Sequence, residues 1–276
     1  MLLVLPVLIV FLVLFACPLA FLLWESVHPF SLTGASGSLI CANYRRLLGD
    51  PYYVRMLAET FKLAAMTSAL CLVIGYPVAW CLRLAPRRVQ GLLLLGLLAP
   101  LLVSVVVRSF GWVVILGEFG LLNAVLRAVG VTDAAGQRTH LFTEAAVLAG
   151  LVHVFLPFVV LALYGSLQKV DLRLPRAARN LGANRMRAFL AVLPFGLPGV
   201  VAGVTTVFAL TTGSYVTVAV LGGTVVRVLA VVAYEQAISG MNWPLGSAIG
   251  MVLLVATAAL LRLFQALVAR LYPVPA

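Results

Sequence analysis

Three histidines, four cysteines and eight acidic residues are the whole stock from which this chain could build a metal site or an acid–base centre. Their spacing builds neither. Cys17, Cys41, Cys71 and Cys81 show no metal-ligand interval, and three of them lie in or beside apolar runs, where Cys acts as a small hydrophobe. His28, His140 and His153 are scattered; His153 falls inside an apolar run and reads as a bonded packing residue. No Asp or Glu lies deep within an apolar segment, and no Walker A phosphate loop is present. The reading is a chain that is not an enzyme and binds no cofactor or metal itself. Two other sets of residues ask for explanation. The first is polar side chains within or at the ends of apolar runs: Arg108, Thr211, Thr212, Ser214 and Tyr215. An ionisable residue at such a place marks a pathway, an internal pair or a side chain snorkelling to the membrane surface; for Arg108 the internal partner would be Glu118. The four hydroxyl-bearing residues line a polar pathway or bond between helices. The second is a basic, helix-prone stretch, 174–189, with Ala177 and Ala178 side by side and a turn-permitting Gly182. Leu174, Leu181, Met186 and Phe189 give it an apolar face. The chemistry these residues offer is passage and docking.

The elements that must hold them follow from composition. Of 276 residues, 63% are hydrophobic and 10% charged, against about 25% charged in an ordinary soluble domain. The apolar residues come in blocks near the roughly 20 residues that cross a hydrocarbon core. We expect an all-α membrane protein, one transmembrane domain over 1–276, with six spans: Leu2 to Trp24, Glu59 to Leu82, Gly91 to Val114, Leu141 to Tyr164, Gly196 to Val220 and Gly246 to Val268. The first lacks a basic leader and a small-x-small cleavage site, so it reads as a span rather than a signal peptide. Asn43 to Met56 reads as a short helix at the membrane face, Leu121 to Val129 as a short apolar helix, and Val225 to Ile238 as an amphipathic or re-entrant element. Glu59 and Lys62 read as a local pair, and Trp112 and Trp243 as interfacial anchors.

Charge sets the orientation. The net charge of +11 lies between apolar blocks rather than on a domain face, which excludes nucleic acid as a partner. With the N-terminus inside, cytoplasmic segments hold 11 Lys and Arg and external ones 6, as the positive-inside rule requires. Both termini are then cytoplasmic. The most basic segment, 165–194, is cytoplasmic too, and its arginines fit either anchoring to lipid headgroups or docking of a partner.

The stretch Arg176-Ala177-Ala178, Gly182 and Leu193-Pro194 resembles the EAA loop of bacterial ABC importer permeases. Arg176 stands where that loop usually has Glu, and Gly182 lies one residue nearer to Pro194 than is common. Further stretches resemble spermidine/putrescine-type permeases: Gly75-Tyr76-Pro77-Val78-Ala79-Trp80; Val107-Arg108-Ser109-Phe110-Gly111-Trp112 with Gly117-Glu118-Phe119-Gly120-Leu121-Leu122-Asn123; Thr212-Gly213-Ser214-Tyr215-Val216-Thr217 with Leu221-Gly222-Gly223; and Asn242-Trp243-Pro244-Leu245-Gly246-Ser247-Ala248. Ser214 stands where Asp is frequent. The likeness covers about residues 55–265, in order.

This resemblance implies a six-helix ABC importer permease bundle (type I importer, MetI-like) in a bacterial inner membrane, forming half of a translocation pathway. It implies a cytoplasmic ABC ATPase dimer that uses ATP and Mg, a second permease subunit, and a periplasmic or lipid-anchored solute-binding protein. Arg176, Ala177, Ala178, Gly182, Met186 and Phe189 become the coupling region that meets the ATPase. The resemblance points to a polyamine as solute, with an amino-acid-like compound, ferric iron or thiamine as alternatives. A secondary transporter would need internal repeats or embedded acids, and neither is found.

Overall fold

The computed structural model describes residues 5–30, 42–130, 139–171, 173, 180–184, 187 and 193–271. Among these, every regular element is helical: α1 Leu5–Ser26, α2 Ala42–Gly49, α3 Pro51–Leu84, α4 Arg87–Leu98, α5 Val105–Leu116, α6 Leu121–Ala128, α7 Glu144–Leu167, α8 Leu197–Thr212, α9 Val216–Gly222, α10 Leu229–Tyr234 and α11 Trp243–Leu271. Arg176, Ala177, Ala178, Met186 and Phe189, and with them the two short helices expected across 174–189, lie outside the described residues.

Among the described residues, four helical runs are long and apolar enough to cross a membrane: Pro51–Leu84, Val105–Ala128, Glu144–Leu167 and Trp243–Arg270. The pair α8 and α9 makes a fifth if taken as one span bent by 66°. The 22-residue α1 is also apolar throughout. Three expectations change. The second span starts at Pro51 rather than Glu59, because α3 absorbs residues that read as a surface helix; only α2 remains of that helix. The third span is not one helix from Gly91 to Val114. That stretch holds α4, a 3₁₀ turn over Ala99–Leu102, then α5, because Pro100 lacks an N–H and cannot continue the ladder; the run long enough to cross begins at Val105. The fifth span breaks at 213–215. Leu121–Ala128 is helical as expected, and Val225 to Ile238 resolves into α10 followed by a π turn over Glu235–Ser239.

The chain divides into two compact units. The first comprises Met1–Thr60 and Arg227–Leu260. Its core joins Leu47 and Tyr53 to Leu229, Val232, Leu245 and Ile249. Thr60, 1% exposed, ties α3 to α10: its Oγ1 donates to Met56 O at 2.6 Å and accepts the Leu229 N–H at 2.8 Å. Leu229 is the first residue of α10, so Thr60 satisfies one of the donors that a helix start leaves open. Thr60→Val keeps the shape and strands that N–H; we expect a loss of about 1–2 kcal/mol, read as a lower unfolding temperature of the purified protein. Asn242 caps α11, its Oδ1 accepting the Leu245 N–H at 3.1 Å, with Pro244 in the first turn where its missing N–H costs nothing. Gly246 has no room for a side chain, since a Cβ would lie 3.0 Å from that of Ala237 and 3.2 Å from Ala233 O.

The second unit comprises Phe61–Val226 and Leu261–Ala276. Its spine is α7, whose Val147, Leu151, Val159, Val160, Leu163 and Leu167 have no measurable exposure. Helix α8 lies against it through Gly199 and Gly203, a small-xxx-small pair that lets two backbones meet. A Cβ on Gly199 would stand 2.8 Å from Ala162 O and 2.9 Å from Leu163 Cα, and one on Gly203 3.2 Å from Val159 Cα. Gly75 of α3 meets the same helix, with Val159 Cγ1 3.2 Å from its Cβ position. Arg83 Nε donates to Leu167 O at 3.2 Å, covering a carbonyl at the end of α7.

Candidate functional site

The polar residues singled out above all fall in the second unit, at or beside its chain breaks. Helix α4 stops at a 3₁₀ turn, and α5 restarts only at Val105. Such a break frees backbone carbonyls that hydrocarbon cannot satisfy. Arg108, 9% exposed, answers this need. Its guanidinium donates to Pro100 O at 2.8 Å and to Val103 O at 3.4 Å. The side chain thus neither snorkels nor pairs with Glu118; it folds back over the turn that precedes its own helix. Arg suits this place because its fork presents several donors from one side chain. Its Nε is buried without a partner.

The second break separates α8 from α9. Thr212 closes α8, Gly213 to Tyr215 form the turn with the Ser214 N–H on Thr211 O at 3.0 Å, and the chain departs at 66°. Thr212 Oγ1 donates to Ala209 O at 2.8 Å, whereas Thr211 and Thr217 hold buried hydroxyls with no hydrogen-bond partner. Ser214 is half-buried and Tyr215 is 38% exposed. The structure therefore gathers Thr211, Thr212, Ser214 and Tyr215 at one bend, a site with surplus hydroxyls and irregular backbone. Arg108 sits at the other break.

The turn between α5 and α6 explains the Gly117 to Asn123 motif. Asn123, 1% exposed, donates from Nδ2 to Gly117 O at 3.2 Å and to Glu118 O at 2.9 Å. Gly120 lies where a Cβ would come within 2.4 Å of Ile115 O. At the far side of α9, Gly223 has φ +55 and its Cβ position is filled by the Phe142 ring at 2.5 Å. Trp112 Nε1 donates to His153 Nδ1 at 3.2 Å, so His153 is bonded as expected.

At the end of the unit where α7 begins, Lys62 of α3 bridges Glu144, with Nζ 2.9 Å from one carboxylate oxygen and 3.0 Å from the other. At the opposite end, a cavity of about 500 Å³ opens between α7 and α8, lined by Gly165, Ser166, Lys169, Asp171, Phe195 and Pro198. Gly182, on the stretch that follows Asp171, has φ +86. This is the left-handed backbone that its type allowed, with open space where a Cβ would project. Among the described residues no group of His, Cys, Asp and Glu could hold a metal ion.

Comparison with known proteins decides what these breaks belong to. Over 223 residues the chain is 35% identical to the spermidine/putrescine transport system permease protein PotB of Salmonella typhimurium strain SL1344, covering 80% of this chain and 77% of the relative. With PotB of Escherichia coli K12 the identity is 34%, over 80% of each chain. The chain belongs to the PotB-type ABC transporter permease family. No protein-family model matches the chain. The structure superposes on a chain of a bacterial ABC transporter for the import of alginate with a TM-score of 0.72, at 14% identity, over 97% of this chain and 94% of that one. That likeness extends the ABC importer permease fold over nearly the full length.

As a PotB-type permease it is a multi-pass membrane protein that carries a transport path and catalyses no reaction; in such transporters ATP and Mg are used by a partner ATPase. Membership implies a cognate ATPase and a solute-binding protein. The motifs that resembled the family are now seen to be the joints of the fold. Gly75 and Gly246 are close approaches, Asn123 and Asn242 cap turns, Arg108 closes one break, and Thr212 to Thr217 form the other. Sequence reasoning missed Glu144, Asn123 as a turn clamp and Thr60; the signal for Glu144 was Thr143-Glu144 at the head of an apolar run, a capping position.

Proposed function

We propose that this chain forms half of the pathway of an importer for polyamines such as spermidine and putrescine. The observation that carries the reading is the 34–35% identity to PotB proteins, sustained over more than 220 residues. The bundle has six spans, with α1 as the first, the α4–α5 run as the third, and α8 with α9 as the fifth, in the MetI-like arrangement of type I importers. The bias of Lys and Arg sets both termini in the cytoplasm of a bacterial inner membrane. The partners are a cytoplasmic ATPase dimer, a second permease subunit, and a periplasmic or lipid-anchored binding protein.

Solute passes beside the two chain breaks. Thr211, Thr212, Ser214 and Tyr215 offer hydroxyl oxygens to an ammonium, and Arg108, its charge spread over backbone carbonyls, borders the route without facing it as a bare cation. The segment 165–194 couples to the ATPase through Arg176, Ala177, Ala178, Gly182, Met186 and Phe189. The test of solute is uptake of labelled spermidine by cells expressing the complete importer: saturable, ATP-dependent uptake that excess putrescine competes is expected, and its absence overturns the reading. The test of coupling is Gly182. Valine at φ +86 costs about 1–2 kcal/mol locally, whereas asparagine tolerates that backbone. Gly182→Val is expected to lose ATPase retention in co-purification while Gly182→Asn keeps it; equal retention by both rejects the coupling role.

A further inference from the structure

We propose that Glu144 is the carboxylate that receives an ammonium group of the incoming solute, in exchange for the ammonium of Lys62. The inference rests on the polyamine reading above and adds to it the residue that first holds the cation.

The geometry is that of an ammonium site already filled. Lys62 Nζ lies 2.9 Å and 3.0 Å from the two oxygens of Glu144, nearly symmetric between them. Any primary ammonium takes this position on a carboxylate, and each end of a polyamine is one. The occupant is a tethered point charge with rotatable donors, unlike the planar guanidinium of Arg227 that holds Glu235. The two side chains are 47% and 40% exposed. A pair that open to water contributes little stability, so one ammonium can replace another at small cost. Exchange leaves Glu144 compensated: the arriving ammonium takes the place of one that, 47% exposed, swings aside into water.

The surroundings allow the swap. Phe61, beside Lys62, stacks on Phe208 of α8 at 5.9 Å with the rings 11° from parallel. That contact holds α3 in place when Lys62 lets go. Glu144 opens α7, with Thr143 Oγ1 accepting the Ala146 N–H. The start of a helix is a favourable place for negative charge, and the Thr143 cap fixes the backbone that carries Glu144. Glu144 also heads the most buried of the four spans. In the proposed orientation this end of α7 faces the side from which a binding protein delivers solute.

The test uses the complete importer, with ATPase, partner permease and binding protein, in proteoliposomes. The rate of labelled spermidine and putrescine uptake is read at saturating loaded binding protein. Glu144→Gln is expected to lower that rate at least about fivefold and Lys62→Met to raise it about two- to fivefold, the scale of a half-exposed ion pair. The double variant should follow Glu144→Gln, and Glu144→Asp, which keeps the charge, should stay near wild type. Wild-type rates in Glu144→Gln overturn the proposal. So do equal losses in both single variants with recovery in the swapped pair Lys62→Glu and Glu144→Lys, which assign the bridge a structural role. A wild-type importer that moves another solute but no polyamine overturns the underlying reading, and the exchange with it.

Discussion

Gly199→Leu is expected to abolish the folded protein. A Cβ at residue 199 would fall 2.7 Å from Ser166 Cβ, 2.8 Å from Ala162 O and 2.9 Å from Leu163 Cα. Two of these are backbone atoms of α7, which cannot rotate aside, so α8 must move bodily. Gly203 holds the next turn, its Cβ position 3.2 Å from Val159 Cα, and the shift would break that contact too. Even alanine is expected to cost about 1–3 kcal/mol, the range for overpacking a well-filled interior. Leucine, with three further carbons, exceeds what a typical folded chain can lose. The measurement is thermal unfolding and yield of detergent-purified protein: Gly199→Ala should unfold earlier and Gly199→Leu should give no folded fraction. Gly165→Ala is the control, since nothing lies within 4 Å of its Cβ position on the same pair of helices. A normal Gly199→Leu protein would mean that α7 and α8 do not meet at this distance.

Arg108→Met is expected to cost about 3 kcal/mol, the sum of one charge-assisted hydrogen bond and the desolvation of the carbonyl left behind. Methionine fills much of the stem's volume but offers no donor to Pro100 O or Val103 O. Pro100 O keeps the Val103 N–H at 3.3 Å, so Val103 O is the carbonyl left without a partner in a bilayer. Arg108→Lys should fall between, because one ammonium reaches one carbonyl where the fork reaches two. Unfolding temperatures in the order Arg, Lys, Met, with uptake falling in the same order, are the expected result. Equal stability of all three would show that the break between α4 and α5 holds without its cap.

These two residues show how far a linear reading reaches. Only Arg108 stands out by type, as a charge inside an apolar run. Their roles were not visible. Arg108 was weighed between headgroups, Glu118 and a pathway, because a sequence records which residues are near in number. The carbonyls it serves belong to the turn between α4 and α5, and only the folded chain shows them within reach. Lys62 reads from the sequence as a neighbour of Glu59; that it also reaches Glu144, 82 residues away, only the fold shows. Gly199 and Gly203 form a packing groove that appears only once the backbone of α7 is in place beside them.

The long apolar runs, their approximate limits, the basic side of the membrane and the family were all determined by the sequence, because each depends on local composition or on residues close in the chain. Partition into a bilayer is additive along a segment, so it can be summed without knowing the neighbours. Where the helices break at Ala99–Leu102 and at 213–215, which glycines admit another backbone, and which opposite charges meet were decided by the tertiary structure. Those depend on distances of a few ångströms between helices far apart in number, and no periodicity in the chain encodes them one residue at a time.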